Sequence, residues 1–325
     1  MTDQSLWKCA VIGGILILAH SPPAAHGEQA ADHAVNSGVQ EVVATPERSA
    51  GFGEAYFILQ RAEFRSPAWP ESHEQYSVFV CNPSFTAQDL SRLRRTRPEA
   101  VFLAYTNAQD VPIGMYESSY YRALTAVFDS SFCVRDASSG EVIRLYDPDP
   151  VVHPERGQPG FVMHRHSAEL LASFLAGVTM RAGWDGLYVD QCTRVFPEHR
   201  RQMLARRAGG FDFDADGRAD TLEEVDASYE RWRPHFTQRL REELGDDALI
   251  IGNSGGALRD PALNGISLED PGVRFDPRSA ERYLAGQHEV AARPRLSIVW
   301  VKSPGSGPPS RELAAALDGV SVGRL

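Results

Sequence analysis

Cysteine is scarce in this chain, basic charge is in deficit, and no apolar run is long enough to span a membrane. Each shortage removes a class of function. The four cysteines among 325 residues form no zinc-type pairs. His164 and His166 stand two apart with no HExxH or cysteine pair beside them, so a zinc centre is not expected and the two read as loop residues. Lysine and arginine total 33 against 43 acidic residues, a formal charge of −10. With no basic stripe, a nucleic-acid partner is not expected. The run CAVIGGILILA, residues 9 to 19, falls short of the roughly 20 residues a spanning helix needs. No glycine-rich phosphate loop follows the first apolar strand, which counts against an open doubly wound sheet.

What is present begins with an export signature. Lys8 precedes that short apolar run, and Ala25-His26-Gly27 offers small residues at both cleavage positions. Residues 1–27 are therefore expected to be a signal peptide cleaved after Gly27, leaving no stable membrane span and a secreted or periplasmic protein. Residues 28–52, rich in Ala, Ser, Glu and Gly without a sustained period, read as a flexible leader. Cleavage removes Cys9 and leaves Cys81, Cys133 and Cys192. At most one disulfide can form, Cys81 with Cys192 being one option, and one thiol remains over.

The rest of the chain is organised around GWDGLYVDQCTR, residues 183–194, where a short apolar strand runs directly into Asp190. Ahead of it, Leu170, Leu171, Phe174, Leu175 and Val178 recur at helical spacing, and Gly183 marks the stop. Strands are also expected at 54–60, 76–82, 100–107, 248–255, 264–270, 295–303 and 319–323, making eight with that of Asp190. A helix over 86–98 opens on a Thr cap. A second, over 222–245, contains Pro234 and should kink or split there. Residues 115–150 read as an insertion with a hairpin across Ala137-Ser138-Ser139-Gly140. The expected fold class is α/β, a (β/α)8 TIM barrel over residues 53–325 as a single domain with loop insertions. In such a barrel the site lies at the C-terminal ends of the strands.

Glu269 ends the sixth expected strand as Asp190 ends the fourth. Two carboxylates over one mouth can divide acid and nucleophile or base roles, as cleavage of a glycosidic bond requires. Asn253, ending the intervening strand, and Gln191, beside Asp190, are candidate substrate-binding residues. Asp270 takes the opposite strand parity and ranks behind Glu269. Tyr56, Tyr105 and Trp300 fall on or near strands, where they either stack on sugar rings or fill the core.

The segments GLYVDQC, LIIGNSG and GISLED, in this order and spacing, resemble the glycosyl-hydrolase-like family 15 and related endo-α-1,4-polygalactosaminidase-like barrels. The resemblance extends over roughly residues 54–323. It implies a TIM barrel with acidic residues ending strands four and six, which maps onto Asp190 and Glu269.

The most specific local motif is FDFDADGRADTLEE, residues 211–224. Asp212, Asp214, Asp216, Asp220 and Glu223 occupy positions 1, 3, 5, 9 and 12 of a calcium loop. Gly217 stands at the sharp turn, and the carbonyl of Arg218 supplies position 7. Ala219 departs from the pattern and no second loop is present, so structural Ca2+ is expected rather than a sensor. An acidic cap on the following helix is the plainer alternative. The sequence as a whole points to a secreted glycoside hydrolase acting on a polysaccharide or oligosaccharide. The rivals are a non-catalytic carbohydrate-binding barrel of the cell envelope and a calcium-dependent interaction module.

Overall fold

The computed structural model describes residues 10–12, 15–17, 54–58, 74, 76–113, 118–128, 132–143, 160–163, 167–205, 209–254, 256–269, 277–301 and 320–324. The chain divides into two compact units, Met1–Ser49 and Ala50–Leu325. In the first, Ala10–Ile12 pairs antiparallel with Ile15–Ile17. The remainder of the expected signal segment and all of the leader lie outside the described residues.

The second unit is α/β. Its centre is a parallel sheet of six strands curled into a half-barrel: β2 (Tyr76–Cys81), β3 (Val101–Asn107), β4 (Gly186–Asp190), β5 (Leu249–Asn253), β6 (Gly265–Glu269) and β7 (Ser297–Val301). Two further strands, β1 (Glu54–Ile58) and β8 (Val320–Arg324), pair with each other and with the two sheet edges, so the backbone ladder runs round as a ring. The segments 59–73 and 302–319 lie outside the described residues.

Alternation along each strand sorts side chains into two cores, because successive residues face opposite sides of a sheet. Val78, Val80, Val101, Leu103, Tyr188, Leu249, Ile251, Ile298 and Trp300 share the inner core. Phe79, Phe102, Leu187, Val189, Ile250, Ile266 and Leu268 pack outward with helix residues such as Leu171, Leu175, Tyr229 and Phe236. By the same parity Asp190, Asn253 and Glu269 take inward positions at the ends of β4, β5 and β6. Gly265 at the base of β6 allows a very close strand approach: a Cβ there would stand 1.8 Å from the Leu296 carbonyl oxygen.

The helices are α1 (Ala87–Thr96), α2 (Ser119–Val127), α3 (Ala168–Ala182), α4 (Glu198–Ala205), α5 (Leu222–Leu244) and α6 (Pro277–Val290). Thr86 with Asp89, and Thr221 with Glu224, form capping boxes that satisfy the first amides of α1 and α5. Gly183 closes α3 in the left-handed region, φ 78°. Pro234 does not split α5, which runs unbroken for 23 residues. The Thr237 hydroxyl donates to the carbonyls of Arg233 and Pro234 beside it. Among the described residues no helix is long and apolar enough to cross a membrane.

Two excursions leave the C-terminal ends of neighbouring strands. The first, after β3, contains Asp110–Ile113 paired antiparallel with Gly160–Met163, then α2, and a turn at 137–140 closed by an Arg135–Val142 bridge. The second, after β4, contains α4 and the strand Phe211–Asp212. That strand pairs antiparallel with Arg135–Asp136 of the first excursion, so the two are laced together. Cys81, Cys133 and Cys192 are all free and buried, so the optional Cys81–Cys192 disulfide is not formed. Their burial also keeps the thiols from oxidant.

Candidate active site

Three adjacent strands bring the candidate residues together. The Asn253 side-chain nitrogen donates to Asp190 Oδ1 at 2.8 Å and to Glu269 Oε1 at 3.0 Å. Since both oxygens bond one nitrogen, their separation is bounded by the sum of those distances, about 5.8 Å. Asp190 accepts two further bonds, from the Tyr105 hydroxyl to Oδ2 at 2.7 Å and from the Gln191 backbone N–H to Oδ1 at 2.8 Å. Asp190 and Glu269 are 3 and 6 % exposed, whereas Tyr105 and Asn253 are half-buried and form the part of the group open to solvent.

Burial pushes the Asp190 carboxyl above the ordinary carboxylate range, and the charge on Glu269 pushes it further. The donors from Tyr105, Gln191 and Asn253 act the other way. Burial also raises the Tyr105 phenol, with Asp190 adding to the effect. Tyr105 therefore stays protonated and serves as a donor. Tyr105→Phe removes one of the bonds that hold the Asp190 pKa down, a hydrogen bond worth about 1.5–3 kcal/mol when its acceptor is charged. The Asp190 carboxyl should then titrate at higher pH than in wild type, as read by NMR of its side-chain carbon.

The residues behind Asp190 hold its turn. Gln191 has φ 57°, in the left-handed region that non-glycine residues seldom adopt. Its carbonyl accepts from Gln109 Nε2 and from the Tyr229 hydroxyl, each at 3.0 Å. Tyr229 also donates to the Thr193 carbonyl and accepts from the Thr193 N–H. Gln191 is itself buried, and its backbone groups position Asp190. Tyr229, 38 residues further along the chain, and Gln109 carry no local sequence signal for this part.

On the same inner face, the Trp300 indole N–H donates to the Tyr188 hydroxyl at 3.0 Å, and that hydroxyl bonds Ser267 Oγ at 2.8 Å. Trp300 has no exposed surface. It stands in register with Glu269 and fills the inner core, with no ring face open to solvent. Tyr56 falls on β1, and its side chain lies outside the described residues, as do Asp270, His164 and His166. The run Gly252-Asn253-Ser254-Gly255-Gly256 also has the spacing of a nucleophile elbow. Ser254, however, is buried with its hydroxyl donating to the Gly256 carbonyl at 2.7 Å, and no histidine bonds it among the described residues. Burial pushes the Cys192 thiol up to about 12, so it supplies no thiolate nucleophile.

No family model matches the chain, and no curated protein does. Among solved structures, the cycloalternan-degrading enzyme from Trueperella pyogenes is similar at 11% identity and TM-score 0.46, over 84% of this chain and 42% of that one. A variant of Kfla1895 in complex with isomaltose aligns at 10% identity and TM-score 0.40, over 83% and 37%. The protein lmo2446 from Listeria monocytogenes EGD-e aligns at 8% identity and TM-score 0.42, over 84% and 28%. The chain spans less than half the length of each.

Proposed function

We propose that this chain is an exported retaining glycoside hydrolase, built on a full (β/α)8 barrel, with Asp190 as nucleophile and Glu269 as acid and base. The observation that carries the reading is the Asn253 bridge between the two carboxyl groups. The bridge bounds the two bonded oxygens at about 5.8 Å, nearer the roughly 5–5.5 Å used for retention than the 6.5–9.5 Å that leaves room for an inverting water.

The donor pattern divides the roles. Burial and the charge of Glu269 raise the Asp190 carboxyl, and hydrogen bonds to it oppose that rise. Three donors converge on Asp190 and favour its carboxylate, which suits it to attack and gives Glu269 the acid and base role. In the first step an Asp190 oxygen attacks the anomeric carbon while Glu269 protonates the departing glycosidic oxygen. In the second, Glu269 removes a proton from water, which displaces Asp190 from the same carbon. The half-buried Asn253 amide and Tyr105 hydroxyl border the position of the sugar.

The test is reducing-sugar release across a panel of polysaccharides, followed by 1H NMR of the first anomer formed. The expected result is turnover with retention, lost in Glu269→Gln by about 10²- to 10⁴-fold. Turnover equal to wild type in both Glu269→Gln and Asp190→Asn would overturn the assignment. Glycan binding with no reducing ends from any substrate would favour the non-catalytic carbohydrate-binding barrel.

A further inference from the structure

We infer that the loop from Asp212 to Glu223 is a calcium site, and this holds whether or not the carboxylate pair above is catalytic. The carboxylates of Asp212, Asp214 and Asp216 offer oxygens that lie within 4.8 Å of one another. Acidic clusters of this kind are common on solvated surfaces, and Asp214 and Asp216 are exposed. Asp212 is different.

Asp212 sits on the strand Phe211–Asp212, between the buried rings of Phe211 and Phe213, and is itself 7 % exposed. One of its oxygens, Oδ2, accepts from the Gly217 N–H at 3.1 Å. The other, Oδ1, is fully buried and has no hydrogen-bond partner. A carboxylate oxygen removed from water and left unbonded is costly. A cation held against it by Asp214 and Asp216 would remove that cost.

The surrounding backbone gives the ion its class. Ala215 and Gly217 both take positive φ, 62° and 84°, so the chain curls tightly around the carboxylate group. All side-chain donors are oxygens, which selects a hard cation. A twelve-residue loop rich in carboxylates and carbonyls suits the six to eight ligands of calcium better than the strict octahedron and retained waters of magnesium. The Arg218 carbonyl, Asp220 and Glu223 are the groups available to complete the shell. In the structure Asp220 accepts from the Phe213 N–H, and Glu223 is exposed in the first turn of α5.

The site has a mechanical role. Asp212 pairs in register with Arg135, so an ion at its free oxygen would fasten the strand that laces the two excursions together. It would equally fix the start of α5, whose capping Thr221 follows Asp220 directly.

Thermal unfolding of the full chain in EDTA, in millimolar calcium and in millimolar magnesium tests this. An ion that binds only the folded form should raise Tm by about 5 °C at saturating calcium, with a smaller rise in magnesium. Isothermal titration should give one calcium per chain. In the double variant Asp214→Asn, Asp216→Asn, both positions being exposed, Tm in EDTA should be at least that of wild type while the calcium shift disappears. No shift in wild type, an equal shift with magnesium, or a shift that survives the double variant would each overturn the assignment.

Discussion

Asp190→Asn should abolish turnover, on the order of 10⁴-fold or more in kcat, and at the same time make the protein more stable at neutral pH. The first effect follows from the proposed role of Asp190 as nucleophile, since asparagine keeps the shape of the side chain and lacks the attacking oxygen. The second follows from linkage. Burial and the charge of Glu269 raise the folded-state pKa of Asp190, so the folded protein binds this proton more tightly than the unfolded chain does. The stability owed to that proton is fully present below about pH 4 and is lost as pH rises through the raised value. Asparagine never ionises and avoids the loss. The variant should match wild type in acid and exceed it at pH 7, as read from denaturant midpoints across pH. Azide adds a check on roles. With Asp190→Ala it should enter directly from the vacated face and give the inverted glycosyl azide, whereas Glu269→Ala should give the retained one. Wild-type turnover in Asp190→Asn would refute the catalytic role, and equal stability at all pH values would refute the electrostatic argument.

Gly265→Ala should be among the most damaging small substitutions in the chain, costing about 3 kcal/mol or more and lowering Tm on the order of 6–12 °C. The added methyl would stand 1.8 Å from the Leu296 carbonyl oxygen and 2.5 Å from its carbon. Both are backbone atoms, so relief requires moving β6 and its neighbour apart. The same change at Gly286 supplies the control. Gly286 lies inside α6, and a Cβ there meets nothing within 4 Å. Gly286→Ala should therefore stabilise, by about 0.5–1 kcal/mol, through helix propensity alone. Equal effects at the two glycines would show that the close approach is not what matters.

The strand positions and the two acids were legible in the sequence, because apolar runs ending in a carboxylate follow the two-residue period that decides which face a side chain takes. Asp190 and Glu269 are the last inward positions of β4 and β6, and Asn253 the last of β5. The bridging by Asn253 was not legible, since it depends on how neighbouring strands are staggered. Tyr105 and Trp300 share an inward parity, yet Tyr105 is half-buried with its hydroxyl on Asp190, and Trp300 is fully buried with its indole N–H on Tyr188. Periodicity gives the face of a side chain and not what covers it. The pairing of Arg135–Asp136 with Phe211–Asp212 joins segments about 76 residues apart through a long-range register. The helical period around Tyr229 accounts for its buried face but not for its hydroxyl under Gln191.

The bonded trio of Trp300, Tyr188 and Ser267 also acts as an internal brace. Each member is at most 1 % exposed, and their polar atoms are bonded to one another. Because Tyr188 stands on β4, Ser267 on β6 and Trp300 on β7, three strands are joined through their side chains as well as through the backbone ladder. The inner face that carries Asp190 and Glu269 is thus held in one piece from within.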